Sequence, residues 1–314
     1  MEFFRIKHDI PFMRYGKITT TISLITFLFA IWALMYKGIN LGIDFTGGTL
    51  IEVTYSQPAR IDQIRTSLDQ AGFHDVTVQN FGSGSDVLIR LPVRGNAGNG
   101  KTSEAVISTL RAQDSSVSLK RVDFVGPQVG KELYDNGALA LMVVAGGILL
   151  YLSLRFEWRF ALAAIIANIH DVVIILGFFA FFQWEFNLTV LAGVLAVLGY
   201  SVNESVVVFD RIRENLRKLR KASIPEIIDN AITVTMSRTI ITHGMTETMV
   251  LAMLFFGGDA LHNFALALTI GILFGIYSSV LVASPLLLML GVKREHFIKA
   301  STPKTGVSAD GAQV

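Results

Sequence analysis

The chain has 314 residues, of which 52% are hydrophobic and 17% are charged, and its mean hydropathy is +0.52. Soluble domains are about a quarter charged, so this composition indicates a membrane protein and excludes an ordinary soluble domain. The net charge of +2 gives no argument for a nucleic-acid partner, and the lack of cysteine excludes disulfides, thiolate metal sites and cysteine nucleophiles.

Six apolar blocks are long enough to cross a bilayer core as helices, which takes about 17 to 25 residues each. They lie at 18–36, 138–154, 160–182, 188–209, 239–256 and 264–290. Nearly all Lys and Arg outside the large loop fall on one side of the membrane if both termini are cytoplasmic. The sequence therefore predicts three cytoplasmic parts, an N-terminal segment (1–17), a basic and amphipathic link (210–238) and a flexible tail (291–314).

The one large domain, residues 37–137, separates the first two spans and lies on the opposite side. Its pattern predicts strand, helix, strand, strand, helix and strand, which is the order of a ferredoxin-like α+β fold. These elements are predicted at 49–56, 59–72, 76–82, 86–92, 101–113 and 117–125. The stretch GNAGNGKT (95–102) formally matches a phosphate-binding loop. We interpret this stretch as a surface loop, because no nucleotide pool exists outside the cytoplasm. For the chain as a whole we expect no enzyme activity, no cofactor and no metal.

Ionisable residues within the predicted spans are the strongest functional signal, since a charge at mid-membrane costs about 2.5–3.5 kcal/mol. These residues and one adjacent amide are His170 and Asp171 in the third span, Asn203 and Glu204 in the fourth, and Arg238, His243 and Glu247 in or beside the fifth. We interpret them as a ladder of protonatable and hydrogen-bonding sites. Arg238 would stabilise the ionised form of Glu204 when close, and its withdrawal would let Glu204 take up a proton.

Structural interpretations of the same residues remain open. His243 and Glu247 are four residues apart on one helix face and could satisfy each other or a neighbouring helix. His170 could be a packed, hydrogen-bonded histidine. Glu204 and Asn203 could belong to a polar cluster that only holds helices together.

Five motifs, in order along the chain, resemble those of one family. LGYSVNESVVVFDRIREN (198–215) resembles the fourth-span signature of the SecF preprotein translocase subunits, which belong to the SecD/SecF family of the resistance-nodulation-division superfamily. The other motifs are GIDFTGGT (42–49), AIIANIHDVVI (164–174), FNLTVLAGVLAVLGYS (186–201) and SRTIITH (237–243). The resemblance implies a six-span half of the superfamily's bundle in the bacterial inner membrane.

The resemblance also implies partners and a mechanism. SecD would supply the second six-span half, beside the SecYEG channel and possibly YajC. Proton flow would drive movements of the external domains that pull the emerging preprotein outward after the ATP-driven SecA step. Two alternative functions are a proton-coupled exporter of lipids or small molecules and a structural subunit that conducts no protons. Because acids facing inward leave a polar face that lipid cannot satisfy, a partner bundle is expected in any case.

The family's functional residues map onto named positions of this chain. The fourth-span pair maps to Asn203 and Glu204, the fifth-span arginine to Arg238, the third-span pair to His170 and Asp171, and the external gating element to Asp44, Gly47 and Gly48. The sequence departs from the family's pattern at four positions. Glu204 stands where aspartate is usual, His243 and Glu247 stand where small hydroxyl or apolar residues are expected, and Asn187 replaces an acid at the external mouth.

Overall fold

The computed structural model describes residues 6, 8–81, 83–93, 99–293 and 295. Its helices are α1 (Gly16–Lys37), α2 (Ile43–Thr46), α3 (Ile61–Gln70), α4 (Asn99–Gln113), α5 (Pro127–Arg155), α6 (Trp158–Phe182), α7 (Leu188–Lys218), α8 (Ile224–Phe256), α9 (Asp259–Ser278) and α10 (Ser284–Met289). Its strands are β1 (Gly48–Thr54), β2 (Thr77–Phe81), β3 (Ser83–Leu91) and β4 (Ser118–Val125). A π-helical turn, Ser279–Ala283, joins α9 to α10.

Six helical stretches within the described residues are long and apolar enough to cross a membrane, as predicted. They comprise α1, α5, α6, α7, α8 and the continuous run through α9 and α10. The helices α6, α7 and α9 form the buried centre of the bundle, whereas α1, α5 and α8 expose most of their apolar side chains. Close approach of α1 to α6 requires small residues, because a Cβ at Gly177 would lie 2.4 Å from the Cβ of Ala30.

The domain between α1 and α5 has the predicted ferredoxin-like fold. Its sheet has the order β2-β3-β1-β4 with every neighbouring pair antiparallel. Ile51 in β1 pairs with Ile89 in β3 and Val122 in β4, and alternate side chains of the strands pack against α3 and α4 around Leu68 and Leu110. Residues 95–98 of the glycine-rich loop lie outside the described residues.

Both flanking helices continue into the predicted link 210–238. Helix α7 runs to Lys218 and α8 begins at Ile224, so residues 219–223 alone connect the two helices. A capping box forms the start of α8. The Ser223 amide donates to Glu226 Oε2 at 2.7 Å, and the Glu226 amide donates to Ser223 Oγ at 3.4 Å. Beyond residue 293 the structure describes only residue 295, so the predicted flexible tail lies outside the described residues.

The apolar stripe of the predicted link packs inside the protein and not along a membrane surface. Its four residues, Ile227, Ile228, Ala231 and Ile232, are fully buried within the protein. The N-terminal segment packs beside them, since the Met13 amide donates to Asp229 Oδ1 at 2.8 Å and the Ile10 amide donates to Thr233 Oγ1 at 3.0 Å. The stripe faces protein because α8 is a single helix that continues from the membrane span into the end of the bundle beside the N-terminal segment.

Asp86 on the sheet makes the external domain sensitive to acid. Its carboxylate pairs with Lys120 at 2.8 Å and accepts hydrogen bonds from Thr54 and Ser83 at 2.5 and 2.7 Å. These donors, Lys120 first, lower the pKa of Asp86 from 3.8 to about 2. A carboxyl group whose pKa is lower in the folded state stabilises the fold above its unfolded pKa. That stabilisation is therefore complete above about pH 4 and is lost as the pH falls through about 2.

We expect Asp86→Asn to destabilise the external domain at neutral pH and to flatten its stability between about pH 4 and pH 2. Hydrogen exchange of the β1 and β3 amides in the full chain measures both effects. Asp123→Asn is the matched control, because Asp123 pairs with an Arg121 side chain that is 59% exposed. Such surface pairs contribute about 0–1 kcal/mol. An acid profile of Asp86→Asn that overlays the unsubstituted protein would contradict this account.

Candidate proton-relay site

Glu204 is buried in the centre of the bundle and is held by two side chains of α8. The residue is 5% exposed, and Thr239 Oγ1 donates to its Oε1 at 2.5 Å. His243 Nε2 lies 3.2 Å from its Oε2. The ring of Tyr200 packs edge-on against the ring of His243 at 4.7 Å, and the Tyr200 hydroxyl donates to Thr246 Oγ1 at 3.2 Å. The carboxyl group therefore has a fixed set of partners on the next helix.

This set of partners suits a carboxyl group that changes its protonation state. When Glu204 is ionised, Thr239 and an Nε2–H of His243 both donate to it. When Glu204 is protonated, its own O–H can donate to an unprotonated Nε2 of the same histidine. An unpaired buried charge is costly, so both protonation states of Glu204 depend on the hydrogen bonds of these two partners.

The predicted pair between Glu204 and Arg238 is not formed in this structure. Arg238 and Asn203 are exposed on the outer surface of the bundle, and the described residues give neither side chain a hydrogen bond or ion pair. Successive helix residues are about 100° apart, so Thr239 can face α7 only if Arg238 points elsewhere. Two polar side chains thus lie on an outer surface at membrane depth, where lipid cannot satisfy them.

Asp171 is the centre of a second polar cluster, which ties four helices together. Ser201 on α7 and Ser278 on α9 both donate to Asp171 Oδ2, at 2.7 and 2.8 Å. His170 Nδ1 lies 3.3 Å from Asp171 Oδ1, and its Nε2 lies 2.8 Å from Ser23 Oγ on α1. The predicted third-span pair is therefore a fully buried, hydrogen-bonded site, and the structure keeps it apart from the partners of Glu204.

Hydroxyl groups are the functional residues that the sequence analysis missed. Ser278 in the sixth span bonds Asp171, and its neighbour Ser279 lies 2.9 Å from Ser205 on α7. The π-helical turn begins at Ser279, and such turns occur frequently at functional sites. The available signal was the serine pair itself, in a span that carries no charged residue between Phe264 and Met289.

Ser278→Ala is expected to lower bundle stability more than Ser279→Ala. The first change removes a hydrogen bond to a buried carboxyl group, which costs about 1–3 kcal/mol. The second removes a bond between two neutral hydroxyl groups, worth about 0.5–1.5 kcal/mol. Thermal unfolding of the detergent-solubilised chain measures both, and equal losses would show that Ser278 does not support Asp171.

His243 and Glu247 do not satisfy each other, which answers the structural interpretation left open above. His243 is 3% exposed, and its Nδ1 has no hydrogen-bond partner among the described residues. Glu247 Oε2 is buried and equally lacks a partner within that part of the chain. Thr269 on α9 lies beside Glu247, close enough for its hydroxyl to interact with the carboxyl group. Two unsatisfied polar atoms, His243 Nδ1 and Glu247 Oε2, therefore lie on the same part of α8.

The external motif fixes the domain to the start of α7. Asp44 Oδ2 accepts a hydrogen bond from the Leu188 amide at 2.9 Å, and Asn187 caps the same helix by accepting from the Val190 amide at 3.0 Å. Gly47 and Gly48 have φ of +69° and +136°, which favours glycine. A Cβ at Gly48 would also lie 2.6 Å from the Leu91 carbonyl oxygen. The motif is therefore tightly packed between the domain and α7. Its gating role remains a prediction.

A partly buried ion pair adds a second attachment between the domain and the bundle. Arg90 on β3 lies 3.0 Å from Glu185 in the loop before α7, and their side chains are 13% and 10% exposed. Arg90 also donates to the Leu41 carbonyl at 2.8 Å and to Asn40 Oδ1 at 3.1 Å. The helix that carries Glu204 is therefore joined at its domain end to the sheet of the external domain.

Comparisons with known proteins agree with this architecture. The family described as "Protein export membrane protein SecD/SecF, C-terminal" matches residues 105–293, and the "SecD/SecF GG Motif" matches residues 32–59. A Vibrio alginolyticus protein named protein translocase subunit SecF is 46% identical over 98% of this chain and 98% of its own length. A Pseudomonas aeruginosa protein of that name is 45% identical over 94% of this chain and 96% of its own. This chain belongs to the SecD/SecF family of protein export membrane proteins.

Two solved structures share the fold. The crystal structure of SecDF from Thermus thermophilus, a translocon-associated membrane protein, superimposes with a TM-score of 0.84 at 34% identity and covers 91% of this chain. A structure of SecDF in a super-membrane-facing form gives a TM-score of 0.69 at 33% identity over 93% of this chain. The chain spans 39% and 40% of the length of those SecDF chains, so it corresponds to one part of them.

Proposed function

We propose that the chain is a proton-driven accessory subunit of the Sec preprotein translocase in the bacterial inner membrane. Both termini lie in the cytoplasm and the ferredoxin-like domain lies in the periplasm. The observation that carries the proposal is that one helix, α7, holds the buried Glu204 and is bonded at its end to the external domain through Asp44. The relatives are named protein translocase subunits, and we therefore propose protein translocation as the process that the proton-driven movement supports.

The structure suggests how a proton moves the domain. Protonation of Glu204 removes a buried charge, so Thr239 and His243 no longer face an anion and the packing of α7 against α8 changes. The displacement of α7 reaches the domain through the Asp44 bond and the Arg90–Glu185 pair. Repeated protonation and release move the domain to and fro, which pulls the emerging preprotein outward after the SecA step. The work requires no enzymatic step and no cofactor in this chain.

The partners follow from the exposed polar surface. Arg238 and Asn203 lie where lipid would surround them, so a second helical bundle covers them. We assign this place to SecD, as a six-span half that packs against α7 and α8. The complex lies beside the SecYEG channel, with YajC as a possible further subunit, within the lipid bilayer. Nothing in the charge distribution points to nucleic acid.

The test is a preprotein export assay in cells in which this chain is the sole copy of the subunit. We expect the tagged chain to co-purify SecD and SecYEG components. We also expect preprotein export to slow when the proton gradient is dissipated after the SecA step. Purification without any channel component, together with proton-coupled transport of lipids or small molecules, would establish the exporter function instead. Normal export without a proton gradient would leave only a structural role.

A further inference from the structure

We infer that His243 relays protons between Glu204 and Glu247, so that the route toward the external domain follows α8 and does not pass through Asp171. The inference rests on the proposed function and names the residues that supply Glu204 with its proton.

The imidazole of His243 lies between the two carboxyl groups. Its Nε2 is 3.2 Å from Glu204 Oε2, and its buried Nδ1 has no partner among the described residues. Glu247 follows His243 by four positions on α8, which places the two side chains on one helix face. The unsatisfied Glu247 Oε2 and Nδ1 are therefore neighbours that require a common hydrogen-bonding partner, and we assign a bridging water molecule to that place.

The surrounding residues hold the imidazole in this orientation. Tyr200 packs edge-on against the ring at 4.7 Å, and its hydroxyl is itself fixed by Thr246 at 3.2 Å. His243 is 3% exposed, so solvent does not compete for its nitrogens within the described structure. An unsatisfied nitrogen in such a fixed and buried ring is costly, which argues for a ligand and against idle packing.

The three residues form steps toward the domain side. At a rise of about 1.5 Å per residue, Glu204 lies about 24 Å from the domain end of α7. By the same measure His243 and Glu247 lie about 20 Å and about 14 Å from the domain end of α8. Thr269 on α9 interacts with Glu247 through its hydroxyl and can extend the path outward.

The transfer balances without any further reactant. Glu247 gives its carboxylic proton to the bridging water, which passes a proton to His243 Nδ1. The Nε2–H bond of the ring breaks, and its proton forms the O–H bond of Glu204. Glu247 ends as the carboxylate, Glu204 as the neutral acid and the ring as the neutral Nδ1–H tautomer, so total charge is unchanged.

Among the described residues of α6, α7 and α9, no further charged side chain contacts His243 or lies between Glu204 and Glu247. Asp171 is the nearest carboxyl group of α6, and it is already bonded by Ser201 and Ser278. Arg238 points away from the site on the exposed side of α8. On α7, the residues from Leu188 to Asn203 carry no charge, and on α9 the residues from Phe264 to Ser278 carry none. Glu204, His243 and Glu247 are thus the titratable groups of this branch.

The test compares variants of the full partner complex in proteoliposomes, with proton uptake driven by an imposed gradient. His243→Gln keeps a donor toward Glu204 but cannot pass a proton on, and we expect uptake to fall about 10²-fold or more. Glu247→Gln is expected to weaken uptake only in part, because the amide can still hold the bridging water molecule beside His243 Nδ1. Uptake at the unsubstituted rate in both variants would overturn the inference.

Rescue separates relay from packing. His243→Ala leaves a cavity that imidazole and pyrrole both fit, but only imidazole has a second nitrogen to relay a proton. We expect imidazole to restore uptake and pyrrole to leave it low. Equal rescue by both would show that the ring acts by filling space. Loss of uptake in Glu204→Gln with normal uptake in both His243→Gln and Glu247→Gln would leave the proposed function intact and reject this branch alone.

Discussion

Glu204→Gln is expected to abolish the proton-driven phase of export while the complex still assembles. The amide keeps the size of the side chain and can still accept from Thr239, but it cannot gain or lose a proton. We expect export to fall to the level seen when the proton gradient is dissipated. A pulse-chase export assay, read beside co-purification of the partner subunit, measures both quantities.

Two further variants control this prediction. Glu204→Asp keeps the acid but withdraws it by about one methylene from partners at 2.5 and 3.2 Å, so partial activity is expected. Glu214→Gln removes a carboxylate from the same helix where it pairs with surface side chains, Arg211 and Lys218, and is expected to export normally. If Glu204→Gln exported as well as Glu214→Gln, the carboxyl group of Glu204 would have only a structural role.

Glu185→Ala is expected to loosen the external domain from the bundle. The change leaves the partly buried Arg90 without its carboxylate. Breaking a fully buried ion pair from one side costs about 3–5 kcal/mol, which is the upper limit for this pair. We expect faster hydrogen exchange at the amides of β3 and of residues 39–42, while the amides of α6 stay protected. Export should fall with it, because movement of α7 would no longer reach the sheet.

The double variant shows whether the pair itself is responsible. Arg90→Met with Glu185→Ala removes both charges, so its loss of stability should be smaller than the sum of the two single losses. Full additivity, or unchanged exchange in Glu185→Ala, would mean that Asp44 and the backbone bonds hold the domain alone. In that case Asp44→Ala, which removes the acceptor for the Leu188 amide, would be the variant that uncouples the domain.

The spans and the external fold could be predicted because their signals are local. A helix must be about 20 residues long to cross the bilayer, whatever its neighbours are. In the external domain, the alternation of 49–56 and the helical spacing of 59–72 led to β1 and α3 within a few residues. The structure of the predicted link 210–238 was harder to predict from the sequence. Helix α8 continues through its amphipathic residues, and the N-terminal segment packs against them.

The acidic residues of the site could be predicted from the sequence, whereas the side chains that bond to them could not. Asp171 and Glu204 stood out because charges are costly in the membrane. Whether Arg238 or Thr239 faces Glu204 depends on the rotation of α8, which packing between helices decides. The sequence favoured the charged residue, and the structure has the hydroxyl. Ser278 escaped notice for a similar reason, since a serine acquires meaning only when a distant carboxyl group lies 2.8 Å away.

The most direct measurement is infrared difference spectroscopy of the assembled complex in membranes during an imposed pH change. The account predicts a carbonyl band of a protonated carboxylic acid that appears as the gradient loads the site and is missing in Glu204→Gln. Its loading should be slower in His243→Gln. A spectrum in which Glu204 keeps one protonation state throughout, while export still follows the gradient, would contradict the account.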